Sequence, residues 1–149
     1  MTVEGQGEWC LMVDGAARGN PGEAGCGAII YDESGEVVEE LCHYLGHTTN
    51  NVAEYQALLI GLEGVLRLGG KRLQIRSDSE LLVRQLNGIY RVKDERLKEL
   101  YKRASGLLRQ LDAYRINHVP REHNRVADRL ANQAIDEAPR KTRRSSPIC

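Results

Sequence analysis

The run Trp9-Cys10-Leu11-Met12-Val13 is apolar at every position and stops at an acid, Asp14. Strands with one wet face alternate apolar and polar residues, so an unbroken apolar run points to a strand covered on both sides. Such a strand belongs at the centre of a layered sheet, with helices packed on its faces. A carboxylate at the mouth of a buried strand is costly unless something offsets its charge. What compensates Asp14 is the first chemical question the sequence poses.

The rest of the chain supplies the layers. Residues 25–31, Gly-Cys-Gly-Ala-Ile-Ile-Tyr, and residues 37–45 read as two more strands, joined by the turn-like Asp32-Glu33-Ser34-Gly35. Connections this short predict an antiparallel meander. The period then changes: Tyr55, Leu58, Leu59, Leu62, Val65 and Leu66 mark one face of a helix starting near Val52, and Gly69-Gly70 ends it. Leu73-Gln74-Ile75-Arg76 alternates as a short strand, which the helical crossover allows to lie parallel to the first. A short helix is expected from Glu80 to Leu86, then a longer one carrying Leu97, Leu100, Ala104, Leu107, Leu108 and Leu111. Tyr114 to Val119 alternates as a final strand, and Ala127, Leu130, Ala131, Ala134 and Ile135 stripe a last helix. The expected fold is α/β, a five-stranded mixed sheet with its first three strands antiparallel and helices on its faces. Residues 1–137 form one domain in this reading, and residues 138–149, EAPRKTRRSSPIC without its first residue, form a basic mobile tail.

Bulk properties narrow the function. A chain of 149 residues suits one domain with a real core. Formal net charge is zero, which excludes a molecule that is cationic overall; attraction for phosphate must come from a local patch or from metal ions. The four cysteines, at positions 10, 26, 42 and 149, lack metal-type spacing. The first three fall in strand-like segments as small hydrophobes, and Cys149 is left either free or bridged. With no signal-like N-terminus and no span of membrane length, a cytoplasmic protein without a membrane partner is expected.

Four acids have simple individual roles. Asp14 fits an Asp-Gly turn, Glu54 a capping box with Asn51, Asp78 a helix cap in competition with Ser77 and Glu80, and Asp128 the acidic start of a helix. Jointly they say more. If the first and fourth strands are parallel neighbours, Asp14 and Asp78 leave the sheet at one carboxyl edge, where open α/β sheets bind ligands. Glu54 and Asp128 reach that edge from helix starts. Four converging carboxylates repel and force some to stay protonated unless a cation is present. Oxygen-only ligation suits Mg²⁺ or Mn²⁺. Two such ions ~3.5–4 Å apart serve phosphodiester cleavage.

The stretches DGAARGNPGEAGCGAII, TTNNVAEYQALLIGL, SDSELLVRQLNG and VPREHNRVADRLANQA, in this order, resemble the type 1 ribonucleases H over residues 9 to 136. The resemblance implies endonucleolytic cleavage of the RNA strand of an RNA–DNA hybrid, with two Mg²⁺ ions during catalysis and Mn²⁺ as a substitute. It implies 5′-phosphate and 3′-hydroxyl products. It makes Asp14, Glu54, Asp78 and Asp128 the metal-binding carboxylates, with Asp14 bridging both ions. It also implies that Asn20, Asn50 and Asn51 contact nucleic acid, and that Thr49 helps hold a DNA-strand phosphate. The residues themselves suit that task, since neutral amides and hydroxyls read sugars and phosphates in a shallow minor groove.

One feature departs from the family pattern and another follows it. The basic handle that many members carry before the last strand is absent, IYRVKDERLKEL alone joining the helices. His123 lies on the loop five residues before Asp128, where the family has a histidine that assists water activation or product release. As a proton shuttle it fits chemically. Other readings remain open: the same site cutting double-stranded RNA, a non-catalytic hybrid-binding module, and a transposase or integrase core. Clustered acids facing phosphate argue against pure binding. A monomer is expected.

Overall fold

The computed structural model describes residues 7–141, with side chains described as far as Ala138. In chain order the elements are β1 (Glu8–Gly19), β2 (Gly22–Tyr31), β3 (Val37–Thr48), α1 (Asn50–Leu68), β4 (Arg72–Ser77), α2 (Glu80–Leu86), α3 (Glu95–Leu108), β5 (Ala113–His118) and α4 (Arg125–Lys141). The five strands form one sheet in the order β3-β2-β1-β4-β5. β1 to β3 pair antiparallel, and β4 joins β1 and β5 in parallel. The mixed sheet expected from the change of period is the one observed.

Alternation along the central strands sorts side chains onto two faces. Leu11 and Val13 of β1, with Cys26, Ala28 and Ile30 of β2, pack against Tyr55, Leu58, Leu59 and Leu62 of α1 and against Leu97, Leu100, Ala104 and Leu108 of α3. On the other face Met12 and Ile29 meet Leu130 and Ala134 of α4. Full burial of each large aliphatic side chain stabilises by ~1.5–3 kcal/mol, so both faces hold β1 in place. Gly27 lets α4 approach this closely: a Cβ there would stand 2.6 Å from the Ala127 carbonyl oxygen. A buried hydrogen bond of 2.6 Å from the Tyr55 hydroxyl to Gln85 ties α1 to α2.

Several expected boundaries shift. β1 does not end at Asp14 but continues to Gly19, because β2 keeps pairing with it after β4 has stopped: the last parallel pair is Val13–Ser77, while the antiparallel ladder runs on to Gly19–Gly22. RGNPG is therefore the tip of a hairpin rather than a loop directly behind the acid. α1 begins at Asn50, capped by the Thr49 side chain, whose hydroxyl accepts from the Val52 amide at 3.2 Å. Leu111 lies beyond the end of α3, yet it is buried. The turns after α3 hold it at helical spacing without helical continuation, the Leu111 amide bonding the Leu108 carbonyl at 3.1 Å. α4 runs past residue 137 to Lys141. The expectations for the rest of the tail and for Cys149 fall outside the described residues. Among the described residues no helix is long and apolar enough to cross a membrane.

Candidate active site

Where the parallel ladder between β1 and β4 ends, a notch opens in the sheet. Asp14 and Asp78 are the next residues on the two strands, leaving at the same edge as the sequence predicts. Asp14 stays on β1 opposite Gly27 and is only 5% exposed. Asp78 follows β4 directly and is half-buried. Ser79, not Asp78, caps α2 by accepting from the Leu82 amide at 3.2 Å, which leaves the Asp78 carboxylate free of that duty.

Glu54 enters from the second turn of α1 and is also 5% exposed. Its carboxylate accepts a buried 2.7 Å hydrogen bond from the Gly15 amide. Only glycine permits this approach, since a Cβ at position 15 would stand 2.3 Å from the Ala53 carbonyl carbon. Glu54 is thus held by the backbone next to Asp14, not by a capping box. Asp14, Glu54 and Asp78 each present a carboxylate oxygen within 4.8 Å of the others. Asp128, in the first turn of α4, lines the same open pocket of about 450 Å³ but stands outside that group of three. Asn132, one turn on, donates to the Asp128 carbonyl at 3.0 Å and to its carboxylate at 3.3 Å.

The electrostatics follow from crowding. Burial first, then the charges of Glu54, Asp78 and Asp128, push the Asp14 carboxyl far above the ordinary carboxylate range. Burial and the charges of Asp78 and Asp128 raise Glu54 as well, against the opposing pull of the Gly15 amide. Crowding of buried like charges favours protons on these carboxyls. A hard divalent cation offers the same relief without protonation, and the all-oxygen donor set fits one.

The substrate candidates spread over the adjoining rim. Asn50 lines the acid pocket, and the Asn20 side chain accepts from the Asn50 amide at 3.1 Å, tying the β1–β2 hairpin tip to the start of α1. Thr49 serves as the α1 cap, and Asn51 is exposed outside the pocket lining. His123 is exposed on a 3-10 turn, Arg121–His123, and does not line the pocket; Arg121 of that turn does. Glu80 pairs with Arg84 at 2.8 Å, away from the acids.

Asn124 is a positioning residue that the sequence did not single out. It is 1% exposed, and its side-chain amide donates to the Val13 carbonyl at 2.8 Å, one residue before Asp14. Its own carbonyl accepts from the Asp128 amide at 3.1 Å. One residue therefore braces the strand carrying Asp14 against the helix carrying Asp128. The signal was an Asn just ahead of a helical stripe, which reads equally well as an ordinary cap.

A five-stranded mixed sheet with acids gathered at its parallel edge defines the ribonuclease H-like class of α/β folds. A family profile described as Reverse transcriptase-like matches residues 12–134. Ribonuclease HI of Halobacterium salinarum is 42% identical over 125 residues, 84% of this chain and 63% of that protein. The crystal structure of RNase H1 from the same organism superposes with a TM-score of 0.85, covering 88% of this chain and 99% of that one. A bifunctional protein of Mycobacterium tuberculosis is 42% identical over 129 residues, 86% of this chain but 35% of its own length. The chain thus spans between about a third and under two thirds of these curated relatives. LC11-RNase H1, solved in complex with an RNA/DNA hybrid, matches at 43% identity and a TM-score of 0.83, covering 88% of this chain and 99% of that one. This chain belongs to the type 1 ribonuclease H family.

Proposed function

We propose that this protein hydrolyses the RNA strand of RNA–DNA hybrids, leaving 5′-phosphate and 3′-hydroxyl ends. The observation that carries the reading is the convergence of Asp14, Glu54 and Asp78, three carboxylate oxygens within 4.8 Å at the edge of the parallel strands. Asp14, Glu54, Asp78 and Asp128 would hold two divalent ions, Mg²⁺ by preference and Mn²⁺ as a substitute. Bound there, the ions supply water activation and stabilisation of the leaving oxygen.

The chain's own residues hold the rest. The Gly15 amide fixes Glu54, Asn124 fixes the spacing between β1 and α4, and Asn132 steadies Asp128. Preorganised groups of this kind need no rearrangement when charge develops in the transition state. Asn50 lines the pocket and Asn20 accepts from its backbone amide, so their amides are placed to bond sugar hydroxyls and phosphates of an A-like duplex, where a 2′-hydroxyl separates RNA from DNA. Support for a hybrid as substrate comes from LC11-RNase H1, solved in complex with one.

The test is Asp78→Asn. Asp78 makes no capping bond and adds to the crowding of Asp14 and Glu54, so in chelator the variant should melt no lower than the unsubstituted protein, and with Mg²⁺ it should lose cleavage of hybrid. Near-normal cleavage by folded Asp78→Asn would refute the site.

A further inference from the structure

Beside the acid pocket, and sharing Arg121 and Asp128 with it, lies a second open pocket of about 580 Å³. Its lining is Arg121, Glu122, Arg125, Val126, Asp128 and Arg129. All three arginines are exposed. None of their guanidinium groups has an ion-pair or hydrogen-bond partner among the described residues. Elsewhere Arg18, Arg67, Arg84 and Arg115 each pair with an acid. Arg125 and Arg129 are four apart on α4, so they share one helix face, and Arg121 sits on the turn leading into it.

We propose that Arg121, Arg125 and Arg129 form a phosphate subsite that grips the backbone of the strand being cut, next to the scissile linkage. Three features argue for phosphate. Guanidinium groups match phosphate oxygens with paired donors, which a lysine cluster would not do as specifically. Three cations face two carboxylates in this pocket, and one of those, Asp128, also belongs to the acid pocket. The molecule as a whole is neutral, so local cationic concavities are where a polyanion can be held. The strand assignment comes from the shared lining: a chain whose linkage sits over Asp14 and Asp128 places its neighbouring phosphate over Arg121 and the arginines behind it.

This subsite rests on the hydrolase reading, and its test separates the two. Hybrids are prepared with a single neutral methylphosphonate linkage walked along the RNA strand or along the DNA strand. Cleavage by the unmodified chain is compared with that of the double variant Arg125→Gln/Arg129→Gln, with melting temperatures measured in parallel. The unmodified chain should lose about tenfold in kcat/KM at one RNA-strand position near the cut. The double variant should lose a similar factor on unmodified hybrid, mainly through KM, and lose nothing further from that methylphosphonate. Its slope of log(kcat/KM) against log[salt] should be shallower by about 0.9, the amount for one phosphate contact removed. Additive losses, sensitivity confined to the DNA strand, or an unchanged salt slope would each overturn the subsite while leaving the hydrolase reading intact. Absence of cleavage by the unmodified chain would instead overturn the hydrolase reading.

Discussion

Replacing Asp14 by Asn in the absence of metal should make the protein more stable, although it removes the central acid of the site. Burial and three facing carboxylates raise the folded-state pKa of Asp14. The folded protein therefore keeps a proton that the unfolded chain has already lost, and stability falls as pH rises. The loss begins at the ordinary carboxylate pKa and continues toward about 10, the level to which Asp14 itself is pushed. Each unit of upward shift corresponds to about 1.4 kcal/mol. Counting a single unit, because water enters the open pocket, gives a lower bound of ~1.4 kcal/mol, or roughly 3–6 °C for a chain of this size. Thermal unfolding in chelator at pH 8 should show Asp14→Asn melting at least ~3 °C above the unsubstituted protein. Below about pH 3 the difference should vanish, since the carboxyl is then protonated in both states. Saturating Mg²⁺ should reverse the order by binding only the native acid set. A variant that melts at or below the unsubstituted protein at pH 8 in chelator would refute the reasoning about carboxylate crowding.

Other variants probe the supports. Asn124→Ala leaves the buried Val13 carbonyl without its donor and should cost about 1–3 kcal/mol in chemical denaturation, with a higher Mg²⁺ requirement for cleavage. Gly15→Ala forces a Cβ into the Ala53 backbone and should lower stability by ~1–3 kcal/mol, with weakened metal binding by calorimetry. Thr49→Ala removes the α1 cap and should cost ~1 kcal/mol in the same denaturation assay.

Much of the fold was legible because β1 is apolar on both faces and the period change after β3 is sharp. The continuation of β1 to Gly19 was not, since Ala16-Ala17-Arg18 carries no alternation; pairing with β2 alone sustains it. Leu111 kept the helical spacing of α3 while sitting beyond its end, a position that periodicity cannot distinguish. In the site, Asp14 was readable from the end of an apolar run, Asp78 from a strand end, and Glu54 and Asp128 from helix starts. The bond from Gly15 to Glu54 joins residues 39 apart, and that from Asn124 to Val13 joins residues 111 apart. Contacts at such separations leave no local pattern. His123 illustrates the converse: a residue of suitable chemistry on the expected loop, outside the pocket lining, while Arg121 of the same turn lies within it.

The most direct measurement is cleavage of an RNA–DNA hybrid labelled separately on each strand, with Mg²⁺, Mn²⁺ or chelator, alongside single-stranded and double-stranded RNA. Metal-dependent cuts are expected in the hybrid's RNA strand alone, abolished by chelator, with 5′-phosphate ends. Folded protein that binds the hybrid and leaves its RNA intact with either metal would contradict it.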